Sequence, residues 1–383
     1  MHSTADANTT NAPASTGLPI GEVFDHPASE ATLRPEKFNR HTFWCGQSGS
    51  GKSYALGVVL EQLLLRTGLP LLVLDPNADY VRLGRALPGI DAADARRFAE
   101  RDIRVLHSGA REGERLRTRF VDLSVSSKAA VLRLDPIEDA EEFNLLLHIE
   151  EVLDRTGRAS FLETVRGSQL PGAAALALRA ENLEVMEWEL WSWGGAAASD
   201  VVDERPDATV LDLGGFAHRE ESQVAALGVL EHLWNERESR RPVLIVIDEA
   251  HNLCPPNPVT PLERRLVDQI VQIAAEGRKF GLWLLLSTQR PTKIHPNVLS
   301  QCDNLALMKM GAPRDLAELA ELFGFVPGRL LEQAPAFVQG QALFAGGFIA
   351  EPTIVRMGAR LSEEGGSDVR VPLRPADAGS PPA

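Results

Sequence analysis

Cysteine is nearly absent from this 383-residue chain: Cys45, Cys254 and Cys302 stand far apart, without the paired spacing of a metal site. An odd, sparse set excludes a disulfide framework and fits a reducing compartment, so all three read as packing residues. Long apolar runs are missing as well. None approaches the ~18 residues that a membrane helix requires, and the first residues lack the charged-then-apolar pattern of a secretion signal. The expected location is the cytoplasm, with no direct membrane span. A basic excess is also lacking. Lys and Arg number 39 against 53 Asp and Glu, a net charge of −14. That excludes a protein coated in basic surface for nucleic acid, but not a local basic channel. The arginine-rich stretch from Arg96 to Arg119 is interleaved with acids and reads as a solvated mixed face.

The composition is otherwise that of a soluble globular chain, 44% apolar and 24% charged. Its length suits one large domain or two modest ones and supports a sizeable core. Residues 1–35 are rich in Ala, Thr, Asn, Ser and Pro and read as a flexible arm. The segment 361–383 reads as a flexible tail. Between them, "HTFWCG" is a short strand and "GKSYALGVVLEQLLLRTG" a helix with Gly68 as its stop. "LPLLVLD", "ATVLDLGG", "PVLIVIDEAH", "FGLWLLLSTQ" and "DNLALMKM" are further strands, most of them separated by helical patterns. Strands alternating with helices predict an α/β fold with a mostly parallel sheet covered on both faces. Residues 36–136 and 192–360 form the expected core, and 137–191 a helical insert of two or three helices.

The stretch "GQSGSGKS", Gly46 to Ser53, matches the phosphate-loop pattern G-x-x-x-x-G-K-[ST] in full. It follows a strand and opens a helix, as that chemistry demands. Gly46, Gln47, Ser48, Gly49, Ser50 and Gly51 offer backbone N–H groups as an anion nest, and the helix N-terminus adds its positive dipole end. Lys52 is placed to reach the β- and γ-phosphates of ATP, and the Ser53 hydroxyl to ligate Mg²⁺. Tyr54 is counted with this nucleotide-contacting set. The bland alternative is a Gly-rich strand-to-helix turn.

A second strand, "VLIVID", ends in Asp248 and Glu249. Two acids at the tip of a buried strand are costly unless they face a cleft holding a cation. Asp248 is the expected Mg²⁺ holder and Glu249 the acceptor of a proton from attacking water. His251 either couples this site to the next helix or only finishes the turn. Gln289 follows the next strand, so it converges on the same sheet edge; it orients water or senses the γ-phosphate, or else is a turn residue before Pro291. Arg278 stands at the opposite end of that strand. It is either a helix-ending cation or a guanidinium that reaches a neighbouring subunit's nucleotide. Lys279 is the less favoured candidate for the same task.

Together "GQSGSGKS", "LLVLDPNADY", "VLIVIDEAHNL" and "EGRKFGLWLLLSTQRPTKIHPNVLSQCDNLALMKM" resemble the HerA/FtsK superfamily, specifically the HerA-type ATPases, from about Phe38 to Met357. The last block is the most specific part. The resemblance implies a RecA-like core, a hexameric ring of identical subunits, ATP hydrolysis and translocation along double-stranded DNA. It implies Glu249 as catalytic base, Gln289 as polar sensor, Arg278 acting in trans and Arg40 as a second interface arginine. It also implies a nuclease or defence effector as partner. Two departures stand out. The N-terminal β-barrel by which such relatives dock a nuclease is expected to be missing, and the acidic balance leaves the DNA-binding surface unidentified. Three rival readings follow: an ATPase that switches a partner protein, a conjugation-type ATPase working at a membrane through a partner, and an inactive phosphate-loop scaffold. Intact Lys52, Ser53, Asp248 and Glu249 oppose the last.

Overall fold

The computed structural model describes residues 17–152 and 161–366. In chain order the strands are β1 (Leu18–Val23), β2 (His26–Leu33), β3 (His41–Cys45), β4 (Leu71–Asp75), β5 (Ile103–His107), β6 (Glu114–Arg115), β7 (Ala208–Asp212), β8 (Val243–Ile247), β9 (Leu282–Thr288), β10 (Cys302–Met308), β11 (Gln341–Gly346) and β12 (Thr353–Met357). They form one twelve-stranded sheet in the order β2-β1-β12-β11-β10-β3-β9-β8-β4-β7-β5-β6. From β10 to β6 all neighbours run parallel. From β10 to β2 they run antiparallel. The fold is therefore α/β with a mostly parallel sheet, as the alternation of patterns predicts.

The helices are α1 (Lys52–Arg66), α2 (Ala92–Ala99), α3 (Val125–Val131), α4 (Ala140–Val152), α5 (Phe161–Gly167), α6 (Ala173–Asn182), α7 (Ala198–Glu204), α8 (Arg219–Asn235), α9 (Pro261–Glu276), α10 (Pro296–Leu299), α11 (Pro313–Leu322) and α12 (Gly328–Leu331). Alternate strand residues serve opposite faces. Trp44, Val73, Val246 and Leu285 meet Leu56, Leu60 and Leu63 of α1 on one side. Phe43, Leu74, Ile247 and Leu286 meet Leu227 and Leu230 of α8 and Leu266 and Ile270 of α9 on the other. This two-sided burial is why the central strands read as continuous apolar runs. The helices between β6 and β7 join the second core rather than forming a separate one. Phe120 packs edge-on against Phe161 and Trp191, at 5.0 and 5.3 Å between ring centres, and all three lie in the cluster that holds α8 and α9. Among the described residues no helix is long and apolar enough to cross a membrane. Cys45, Cys254 and Cys302 are buried and unpaired by disulfides.

Both expected termini need correction. Residues 1–16 and 367–383 lie outside the described residues. Residues 18–33, expected within a flexible arm, instead form the β1–β2 hairpin, with β1 paired to β12 through Gly21↔Met357 and Val23↔Val355. Leu18, Ile20, Ala31 and Leu33 are buried. Composition suggested disorder because the segment has few apolar groups; period-two placement puts those few on one face, against a sheet edge that already exists. Residues 361–366, expected in the tail, lie against α1. Ser362 is buried and donates to Glu61 through both its N–H and its hydroxyl.

Candidate active site

The loop after β3 turns into α1 around two left-handed glycines, Gly49 with φ 75° and Gly51 with φ 86°, a conformation that costs other residues energy. Neighbouring strand ends pin it. Gln47 N–H donates to Lys309 O at 2.9 Å, Gly311 N–H to the Gln47 side chain at 3.0 Å, and Gly340 N–H to Ser50 O at 3.2 Å. Beside the loop lies a cleft of about 750 Å³ lined by Ser48, Lys52, Ser53, Tyr54, Asp79, Gln289 and Glu364, among others. The Tyr54 hydroxyl accepts from Arg360 N–H at 2.8 Å.

Lys52 is buried, and its ammonium is shared between strand ends. Nζ lies 2.8 Å from Asp248, 3.2 Å from Glu249 and 2.9 Å from the Ser287 hydroxyl. Burial alone would lower its pKa, but the two carboxylates more than offset that and raise it. Glu249 is the counterpart. Burial pushes its carboxyl up, yet His251, Lys52 and Gln289 together bring it down to about 2. Gln289 Nε2 donates to Glu249 at 2.8 Å, and His251 Nδ1 lies 3.2 Å from Glu249 and 3.0 Å from the Thr288 hydroxyl. Glu249 takes a left-handed φ of 43°. Such a conformation in a non-glycine residue stores strain and clusters at functional sites. One oxygen of Asp248, Oδ2, is buried and has no hydrogen-bond partner among the described residues.

The Ser53 hydroxyl donates to Asp79 Oδ2 at 2.6 Å. Asp79 is fixed from behind by Asp75 at the end of β4, whose carboxylate accepts the N–H groups of Asn77, Asp79 and Tyr80 at 3.3, 3.0 and 2.8 Å. Burial raises the Asp75 pKa to about 7, opposed by the Tyr80 and Asp79 backbone donors and reinforced by nearby Asp248. Among the described residues no three His, Cys, Asp or Glu form a metal-holding group by themselves. A divalent cation such as Mg²⁺ would need phosphate and water to complete its oxygen ligands here. The Ser53 hydroxyl and the orphaned Asp248 oxygen fit that task.

Arg40 and Arg278 are not in this cleft. Arg40 precedes β3 and Arg278 precedes β9, so both sit at the opposite edge of the parallel sheet. Seven residues of β9 separate Arg278 from Gln289, about 20 Å at the usual strand rise. Both guanidiniums approach one carboxylate near the start of β10: Asp303 lies 2.7 Å from Arg278 and 3.9 Å from Arg40, with the two arginine side chains 37% and 48% exposed. His41 buttresses this edge. Its ring is buried, accepts Leu284 N–H at 2.9 Å and lies 2.9 Å from Ala274 O. Several arginines of the 96–119 stretch pair with acids, Arg104 with Asp102 and Arg119 with Asp200 among them.

Reasoning from the sequence missed Ser287, Asp79 and Asp303. Ser287 had a signal, a small hydroxyl residue inside an apolar strand. Asp79 lay in the quoted "DPNADY" stretch, without a role. Asp303 had none.

Residues 18–168 match the family model described as "Helicase HerA, central domain". The double-strand break repair helicase HerA of Pyrococcus furiosus is 24% identical over 395 residues, covering 89% of this chain and 69% of that protein. HerA of Saccharolobus solfataricus is 23% identical, covering 86% and 66%. A probable HerA of Methanocaldococcus jannaschii is 32% identical over 131 residues, or 34% of this chain, and there the chain spans only a quarter of the relative's length. Among solved structures, VirB4 of Thermoanaerobacter pseudethanolicus aligns with a TM-score of 0.58 and 17% identity, covering 90% of this chain and 97% of that one. The plasmid coupling protein TrwB, bound to a GTP analogue, aligns at 0.52 and 14%, covering 88% and 89%. The chain is thus similar in sequence to the HerA helicases over most of its length, and it shares the RecA-like phosphate-loop fold of VirB4 and TrwB.

Proposed function

We propose that the chain is an ATP-hydrolysing HerA-type motor that works in the cytoplasm as a ring, a hexamer, on double-stranded DNA. The observation that carries this reading is the shared Lys52 ammonium. Its Nζ lies within ion-pair distance of both Asp248 and Glu249. A γ-phosphate arriving at the loop competes for Lys52 and draws it from the acids. Glu249 then loses one of the groups that hold its pKa near 2 and becomes a better proton acceptor, still oriented by Gln289 and His251. Water positioned there attacks the γ-phosphorus. The bond to the ADP oxygen breaks, and the water proton passes to Glu249. Ser53 and Asp248 are the residues to hold Mg²⁺. When bound, that ion would supply positive charge against the phosphates. Arg40 and Arg278, exposed on the far edge of the sheet, serve the nucleotide of a neighbouring subunit, where a guanidinium stabilises charge on the transferred phosphoryl. Pore-facing cations in a ring need few residues per subunit, since each is repeated in every copy, so an acidic chain remains compatible with a DNA track.

The test is the ATP hydrolysis rate at low salt, with and without long linear duplex DNA, because phosphate contacts weaken steeply as salt rises. Stimulation by DNA, lost in Glu249→Gln, is the expected result. The net charge of −14 favours a second reading, an ATPase whose nucleotide state switches a nuclease or defence effector. Hydrolysis indifferent to DNA selects that reading over the motor. Co-purification with a membrane protein selects a conjugation-type role.

A further inference from the structure

Ser53 is the hydroxyl that would ligate the cation, yet its proton is already committed to Asp79, 2.6 Å away. A serine hydroxyl has one proton and two lone pairs. Giving the proton to a carboxylate fixes the rotor and leaves the lone pairs free for a metal. Groups behind a metal ligand work in this way, orienting it and raising its basicity.

The carboxylate is held firmly. Asp75 gathers three N–H groups of the 77–80 turn. Ala78, at the apex, takes a left-handed φ of 61°, a conformation that persists only where its surroundings impose it. From the other side Gly365 N–H donates to Asp79 O at 3.1 Å. A Cβ on Gly365 would lie 2.0 Å from Ala78 O, and one on Gly366 would lie 2.5 Å from Asp79 Oδ1. The turn is therefore clamped between β4 and the 361–366 segment, and Asp79 keeps its aim at Ser53. An independent observation points to a ligand in the same place: the buried Asp248 Oδ2 has no partner among the described residues.

We propose that Asp79 is a positioning residue for the nucleotide-bound divalent cation, acting through the Ser53 hydroxyl. The inference rests on the reading of the cleft as an ATP site. It concerns binding, so it is tested without turnover. Mn²⁺ is titrated into protein saturated with the hydrolysis-resistant analogue AMP-PNP, and free Mn²⁺ is followed by electron paramagnetic resonance. Metal-free AMP-PNP affinity is measured in parallel. Asp79→Asn is expected to weaken Mn²⁺ binding by about tenfold, the lower end for loss of a group behind a metal ligand, with metal-free nucleotide affinity unchanged. In a Ser53→Ala background the same substitution is expected to change nothing further, because its route is gone. Asp79→Ala, which removes the acceptor altogether and relieves the crowding of Asp75, Asp79 and Asp248, carries the same expectation and serves if the amide variant does not fold. Unchanged or tighter Mn²⁺ binding in Asp79→Asn overturns the proposal, since the carboxylate would then be idle or an obstacle to the metal. An undiminished effect in the Ser53→Ala background also overturns it. A wild-type chain that binds no AMP-PNP overturns the ATP-site reading itself, a failure distinct from that of Asp79.

Discussion

Gly57, in the middle of α1, is expected to tolerate alanine only when Arg360 is gone. Arg360 lies across α1 with its side chain 1% exposed, and its Nε donates to the buried Glu61 at 3.2 Å. A Cβ on Gly57 would stand 2.6 Å from the guanidinium carbon and 2.7 Å from Nε. A long side chain usually yields to such contact, but this one is enclosed and paired. Alanine within a helix gains about 1 kcal/mol over glycine, whereas disrupting a buried ion pair costs about 3–5 kcal/mol. Gly57→Ala is therefore expected to destabilise the wild-type protein by about 2 kcal/mol or more, within the usual range for overpacking. Arg360→Ala alone is expected to cost about 3 kcal/mol, the lower end for a broken pair. Burial already pushes the Glu61 carboxyl up, and without Arg360 it still keeps the donors from Leu361 and Ser362. In that background Gly57→Ala is expected to stabilise by up to about 1 kcal/mol. The sign reversal gives a coupling of about 3 kcal/mol, the upper end for residues in contact. Urea unfolding of the four proteins measures it. An equal effect of Gly57→Ala in both backgrounds refutes the reasoning, because the guanidinium would then have moved aside at no cost.

Lys52→Ala is expected to abolish nucleotide binding, read by fluorescence of an ATP analogue. Glu249→Gln should bind ATP but turn over about 10²–10⁴-fold more slowly, as loss of a general base implies, and normal turnover would remove Glu249 from that role. Arg278→Ala should bind ATP yet lose about 10³-fold or more in turnover. Mixing it with Glu249→Gln subunits should restore part of the rate, and no recovery in rings verified as mixed refutes action in trans. His41, kept neutral by burial with its pKa lowered to about 4, takes up its proton more readily unfolded than folded. Its contribution is therefore present above pH 6.5 and lost as pH falls toward 4, about 3 kcal/mol in all. His41→Gln should flatten that part of the stability-versus-pH curve, and an unchanged slope refutes the assignment.

The centre of the sheet was legible and its antiparallel edge was not. Strands β3, β4, β7, β8 and β9 are covered on both faces, so each reads as an apolar run whatever surrounds it. Strands β1 and β2 bury only Leu18, Ile20, Ala31 and Leu33, and they are ordered by pairing with β12, itself paired with β11. A window of sequence that assesses its own apolar content cannot register stabilisation supplied by a strand more than three hundred residues away. The same holds for Arg360 and Ser362, whose burial depends on a glycine and a glutamate one turn apart in α1.

The site divides along the same line. A phosphate loop is a local object, with glycines, lysine and serine within eight residues, and Asp248 with Glu249 is a local strand end. Asp79 reaches Ser53 although β3 and β4 are separated in the sheet by β9 and β8; only strand order brings the two loops together. Arg40, Arg278 and Asp303 meet for an equivalent reason. They precede or begin β3, β9 and β10, which are adjacent and parallel, so their starts fall on one edge. Hydrophobic pattern states that a strand is central, not which strand lies beside it. Arg278 was singled out by its type and position and Arg40 through the family resemblance, whereas the carboxylate between them follows only from the order β10-β3-β9.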